Sequence, residues 1–352
     1  MRPLVLMLVL LCVATAARAE GPTIRPPVAA GSFYPLEPEL LRTTLQQLYA
    51  GVPTPSPEGR LAAVIVPHSG YEFAGSVAAH AFRELQPGQY DRVIILAPSH
   101  FSSFEGLSIP AADAFVTPLG VVPIDRDAVD RVIYSALIDV RALHYNKNSD
   151  HKPLHENEYS IEVLLPYLQE RLVQFQIVPI MVGTLNDAQG RFNANSVSAV
   201  AESLKEIVDD RTLIVVSSDF THFGNDFSFR PFNTNIPEAI QGLDTKAFEL
   251  IVARNLDEYR NYMKVTKNTI CGNLAIQIMM ELLPRHTKGK LLAYDMSLRH
   301  TQNVDRSVSY AALSFHEPGK PVNELKQIQQ ASAPARETSP AATVEAQPVP
   351  QN

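Results

Sequence analysis

Five side chains in this sequence are of types that do chemistry together: His68, His100, Asp219, His222 and Cys271. His68 and His100 each stand two or three residues past a short apolar run (LAAVIV and RVIILA). Asp219 and His222 follow a third (LIVVS). Cys271 falls where a helix is expected to open, and a thiol in a first helical turn faces the positive end of the dipole, which favours thiolate. Two imidazoles and a thiolate make a three-ligand metal set with an open position. Nitrogen and thiolate donors suit zinc, copper or iron better than magnesium or calcium. Asp219 and His222 would then stand behind the ligands, the imidazole exchanging a proton and the carboxylate orienting it. Taken singly, each residue also has a plainer reading. A histidine after a strand is often a turn residue bonded to a carbonyl, and a lone cysteine is often a small buried hydrophobe. Their common place at strand ends favours the group reading.

The elements that must position them alternate. Leu61–Val66, Arg92–Ala97, Gln176–Val182, Leu213–Ser217 and Ser307–Phe315 read as strands, several apolar throughout and so covered on both faces. Phe73–Leu85, Ile161–Leu172, Val197–Val208, Thr245–Arg254 and Ile270–Leu283 read as helices. This alternation predicts an α/β fold: a mostly parallel or mixed central sheet with helices on both faces. Ligands in such sheets gather beyond the carboxyl ends of the strands, where the five residues are expected. His80 reads as a core or interface residue. The loop holding His144, His151 and His155 reads as a solvated linker, and Glu156, Glu158 and Glu162 as a charged helix start. Gly70 and Tyr71 are expected to shape the turn after His68.

The first 19 residues read as a signal peptide: Arg2, an apolar run from Leu4 to Val13, and Ala17-Arg18-Ala19 before Glu20. A periplasmic or secreted protein is the expectation. Cleavage removes Arg2 and Arg18 and moves the formal charge from −7 to −9, which argues against nucleic acid. It also removes Cys12 and leaves Cys271 with no internal disulfide partner. No later stretch reaches about 18 unbroken apolar residues, so no membrane span is expected. Residues 20–27 form a Pro-rich N-terminal segment, and 28–316 a single domain. The Pro-, Ala- and Gln-rich stretch at 317–352 reads as a disordered tail.

At these residues the chain resembles the Memo-like family, also called AmmeMemoRadiSam system protein B. The blocks that carry the resemblance are AAGSFYP, VPHSGYEFAGSVAAHAF, ILAPSHF, EYSIEVLLPYL, VVSSDFTHFG, NTICGN and DRSVSYAA, in the family's order. The resemblance implies a fold akin to class III extradiol dioxygenases, which use non-haem iron. It implies a metal pocket of His68, His100 and Cys271, with Asp219 and His222 at the matching positions of the SSDFxH block. Iron or copper and copper-dependent redox activity are implied as well. A cysteine in the third ligand place differs from the dioxygenases' two histidines and a carboxylate. Tyr159 stands where the family usually has His, and Asn273 where it often has Arg. A radical-SAM partner belongs in the reducing cytoplasm, so the leader argues against that partnership here.

Three functions are therefore weighed. The first is a metal-dependent oxidoreductase of dioxygenase-like type, on iron or copper with zinc as a further option. The second is an exported scaffold that binds metal or peptide without turnover. The third is a Cys–His hydrolase, with Cys271 as nucleophile and His68 or His222 as base. In each, a small-molecule or peptide ligand would occupy the strand-end pocket.

Overall fold

The computed structural model describes residues 22–55, 59–135, 154–187 and 189–319. The expected leader at 1–19, His144, His151 and the expected tail beyond 319 lie outside the described residues. The elements run β1 (Ile24–Arg25), α1 (Pro38–Ala50), β2 (Arg60–Val66), α2 (Tyr71–Phe82), β3 (Arg92–Pro98), β4 (Leu107–Ser108), β5 (Ala114–Thr117), β6 (Gly120–Pro123) and α3 (Arg126–Ser135). There follow α4 (Leu165–Leu172), β7 (Gln176–Val182), α5 (Ala194–Lys205), β8 (Thr212–Ser217), β9 (His222–Gly224), α6 (Ile236–Val252), α7 (Leu256–Thr266), α8 (Asn273–Leu282), β10 (Lys288–Met296), α9 (Leu298–Thr301) and β11 (Arg306–Glu317).

The main sheet is mixed, in the order β10-β11-β2-β8-β3-β7-β4. Its centre is parallel: β8 pairs with β2 on one side and β3 on the other, and β3 pairs with β7. Every residue of β2 and β8 is buried, as expected for Val- and Ile-rich strands with helices on both faces. β11 and β4 run antiparallel to their inner neighbours, and β10 to β11. Helices α1, α2 and α4 pack together around Tyr49, Tyr71, Phe82 and Tyr167. Helix α8 packs on β8 and β3, with α5 and α7 against it. A smaller cluster of Phe223, Ile236, Ile240, Met296 and Leu298 lies beside β9. No helix among the described residues is long and apolar enough to cross a membrane.

The folded body extends past both composition breaks. Arg25 of β1 is buried, and Glu317, the last residue of β11, pairs with buried Arg60 at 2.7 Å. A charge on a terminal residue is tolerated inside when a partner meets it, which composition does not reveal.

Candidate metal centre

The strand order assembles the site. Because β8 lies between β2 and β3, the three carboxyl ends are neighbours, and the residues just beyond them face one another. Ser218 N–H donates to Val66 O at 2.8 Å and carries the pairing one step past the strands. His68 leaves β2, His100 leaves β3, and their rings meet edge-on with centroids 4.9 Å apart. Cys271 arrives from the turn before α8. One ligand atom each of His68, His100 and Cys271 lies within 4.8 Å of the other two.

Hydrogen bonds fix which nitrogen each ring presents. Ser217 Oγ donates its single proton to Ser160 O at 2.6 Å, so at 2.7 Å from His68 Nδ1 it accepts. His68 Nδ1 is therefore protonated, and Nε2, 3.4 Å from Cys271 Sγ, is the nitrogen that faces the centre, with a lone pair there once the ring gives up its second proton. His100 Nδ1 donates to Glu158 Oε1 at 3.0 Å. Burial pushes the Glu158 carboxyl up, but the bonds from His100 and Ser160 overcome this and hold it at about 2, so it accepts as a carboxylate. His100 Nε2 is left for the centre. This is the arrangement in which a carboxylate or hydroxyl behind each imidazole sets its tautomer and raises its basicity.

Cys271 departs from the sequence expectation in one respect. Helix α8 begins at Asn273 with Gly272 as its N-cap, so the thiol lies outside the first turn. Its acidity comes from its neighbours. Burial raises the thiol, but the His68 charge and the bonds to His100 and His68 outweigh it and bring it down to about 5. Burial lowers His100, but the hydrogen bonds and charges of Cys271 and Glu158 outweigh it and raise the imidazole to about 10. Free of metal, the pair is thus imidazolium and thiolate between those values. Asp219 N–H points at Sγ from 3.2 Å. Gly272 allows the close approach: a Cβ there would overlap the Ser218 side chain, with Oγ at 2.6 Å and Ser217 O at 2.8 Å. Gly272 N–H donates to that Oγ at 3.0 Å.

The donor set suits a transition metal. Ligands of one tetrahedral ion sit about 3.5 Å apart, given bonds of about 2.0–2.3 Å to nitrogen and sulfur. The Sγ–Nε2 pair already has that spacing.

The profile of the family described as "Memo-like protein" matches residues 25–314. The chain belongs to the Memo-like family. It is 33% identical over 267 residues to the Protein memo-1 homolog of Caenorhabditis elegans, covering 72% of each chain. It is 29% identical over 296 residues to human Protein MEMO1, covering 80% of this chain and 94% of the relative. A MEMO1 family protein of Schizosaccharomyces pombe is 29% identical over 321 residues, or 82% and 97% of the two chains.

Within this Memo-like fold the other expected residues fall as follows. Asp219 is buried; Oδ1 accepts His68 N–H at 3.0 Å, and Oδ2 accepts Ser69 Oγ–H at 2.5 Å and lies 4.0 Å from His68 Nε2. His222 stands apart from the three-ligand group. Its Nδ1–H faces the carbonyls of Phe220 and Thr269 at 2.8 and 3.0 Å, and its ring meets Phe227. Tyr159 stacks flat on His100 with centroids 4.8 Å apart, and meets Phe33 at a tilt of 32° with centroids 4.3 Å apart. Asn273 Oδ1 accepts from Gln277 one turn on, along its own helix. Tyr71 is buried and donates to Val163 O at 2.8 Å.

Several plain readings are corrected. His80 is only half-buried; its Nδ1 bonds Ser76 O one turn back. His155 is buried, 3.2 Å from Ser108 Oγ. Glu162 does open the short helical turn that leads into α4, but it and Glu158 are buried. Glu158 backs His100, and Glu162 takes Arg25, Tyr34 Oη–H at 2.6 Å and the N–H groups of Val28 and Ala29. The buried Arg25 guanidinium also holds the carbonyls of His155 and Glu158. Arg25 and Glu162 are 137 positions apart, so no local pattern announces the pair. Glu162 did carry a signal: it is an acid inside the apolar run Ile161–Leu165, where an unpaired charge is too costly to bury.

Proposed function

We propose that this Memo-like protein is a metal-dependent redox protein. Its ion would be held by His68 Nε2, His100 Nε2 and Cys271 Sγ, with iron or copper as the working metal and zinc a further option. One observation carries the reading. Both imidazoles have Nδ1 committed to a fixed acceptor, so two lone pairs and a thiolate aim at one point. Bound there, the ion would supply Lewis acidity and, as iron or copper, one-electron chemistry. Asp219, within 4.0 Å of His68 Nε2, would receive a proton from a substrate group entering beside it. His222, with Nδ1 engaged, has Nε2 left to take up or return a proton. Phe33, Phe101 and Tyr159 would wall a small-molecule or peptide ligand from water on the His100 side.

The test is metal content of the wild type against Cys271→Ala and His68→Ala, with oxygen uptake followed across candidate substrates. Bound metal lost in both variants supports the centre, and turnover lost in His222→Ala supports catalysis. Equal metal in all three proteins ends the proposal. Metal without any turnover leaves the scaffold reading.

The contact of Cys271 Sγ with His68 Nε2 at 3.4 Å also favours a second reading, a Cys–His nucleophile pair. Acyl transfer needs donors free for an oxyanion. Around this thiol, Asp219 N–H points at sulfur and Gly272 N–H is taken by Ser218, which weighs against that chemistry. Alkylation of Cys271 that is blocked by added metal and untouched by ester or amide substrates would exclude the hydrolase.

A further inference from the structure

A cavity of about 340 Å³ adjoins the metal centre. Phe33, Phe73, Ser69, Tyr310 and Arg306 are among the residues that line it. Two contacts tie it to the centre. Ser69 follows His68 and donates to Asp219, and Phe33 packs at a tilt against Tyr159, which stacks on His100. Strand β11 contributes alternate residues, Arg306, Val308 and Tyr310, which project from one face. Val308 pairs with His222 of β9, so that imidazole sits on the same face of the ribbon. Among the described residues lining the cavity, Arg306 alone carries a charge. Its guanidinium lies over the Phe227 ring at 5.1 Å, and its acidic neighbour is Asp226, 3.5 Å away. Both of those side chains are more than half exposed, so the pair is weak and an entering anion can replace it.

We propose that this cleft binds a small monocarboxylate with an apolar body. The carboxylate would sit on Arg306, whose planar fork matches it. The apolar body would lie between Phe33 and Phe73, and its far end would reach toward Ser69 and Asp219. The volume is at the small end of ligand sites, which excludes a folded peptide and suits a body of one ring or a short chain. The cleft rests on the proposed metal reading for its purpose, though its binding of an anion does not.

The experiment titrates the full-length protein with phenylacetate and with its neutral isostere phenylacetamide, before and after metal removal with a chelator. Phenylacetate is expected to bind at least fivefold more tightly than the amide. Arg306→Gln should erase that preference, and Arg306→Lys should keep part of it. Metal content should be the same in all three proteins. Equal binding of acid and amide, or an unchanged preference in Arg306→Gln, overturns the proposal. Acid preference in a protein that takes up no metal when iron, copper or zinc is added would sink the metal centre and leave the cleft standing; metal uptake without acid preference would do the reverse.

Discussion

Replacing Glu158 by Gln isolates the contribution of the carboxylate behind His100. The shape is kept and the charge removed. In the native protein Oε2 accepts His100 N–H at 2.6 Å, and Oε1 accepts His100 Nδ1–H at 3.0 Å, Tyr159 N–H at 2.9 Å and Ser160 N–H at 3.0 Å. Four donors converge on one anion. An amide has one oxygen, so either way round its NH₂ confronts a buried donor. Leaving that donor unsatisfied costs about 1–3 kcal/mol of folding stability. The bond to the imidazole also falls from charged to neutral, and His100 becomes a poorer base. Loss of such a partner typically weakens metal binding by about 10–100-fold. Competition against a chelator of known affinity reads the metal Kd, and urea unfolding of the metal-free protein reads stability. The pH dependence gives a second arm. Glu158 is held at about 2 against an ordinary 4.5, equivalent to about 3 kcal/mol for the metal-free fold. Because the folded value is depressed, this stabilisation is present above pH 4.5 and is lost as pH falls toward 2. The gap between wild type and variant should narrow across that window. A variant with native circular dichroism that binds metal within twofold of wild type would refute the assigned role.

Gly272→Ala should lose metal and at least about 2 kcal/mol of stability, since its Cβ overlaps Ser218 and the strand end behind it; denaturant melts with metal analysis measure both. Iodoacetamide should alkylate metal-free Cys271 with a midpoint near pH 5, and His100→Ala should move that midpoint upward. Arg25→Met should cost about 3–5 kcal/mol by stranding the Glu162 charge in the core, and Arg25→Met with Glu162→Gln should recover much of it in urea unfolding. We propose residues 1–19 as a cleaved leader; protein recovered outside the cytoplasm should then begin at Glu20, which intact mass reads directly, and a mature chain retaining residues 1–19 would contradict it.

What could be read from the residues follows the range of the interactions. Strands β2, β3, β7 and β8 are apolar on both faces, so each identifies itself within seven residues or fewer. Because reactive residues follow three of them directly, the association of His68, His100 and Asp219 needed only the parallel sheet. Helix starts were less legible. Helix α6 opens at Ile236, nine residues before the expected start, and Pro237 in its first turn is the signal that marks it. Strand β10 escaped because its polar Lys288-Gly289-Lys290 opening hides an edge strand with only one strand neighbour. Glu158 could not be told from Glu156 by type or spacing. One backs His100, the other is exposed, and only the fold separates them.

That distinction bears on how the centre works. The three proposed ligand positions come from the ends of two strands and one turn, which fixes their separation through the sheet. The groups that set their chemistry, Ser217, Glu158 and Asp219, reach them through hydrogen bonds from the central strand and a neighbouring loop. Arg25 fastens that loop by its own backbone carbonyls, at His155 and Glu158. A change at Arg25 would therefore act on the proposed metal site without touching it, by loosening the carboxylate that orients His100. If so, Arg25→Met with Glu162→Gln, although folded, should still bind metal more weakly than wild type. A double variant with native stability and native metal affinity would show that the loop holds its place by packing alone.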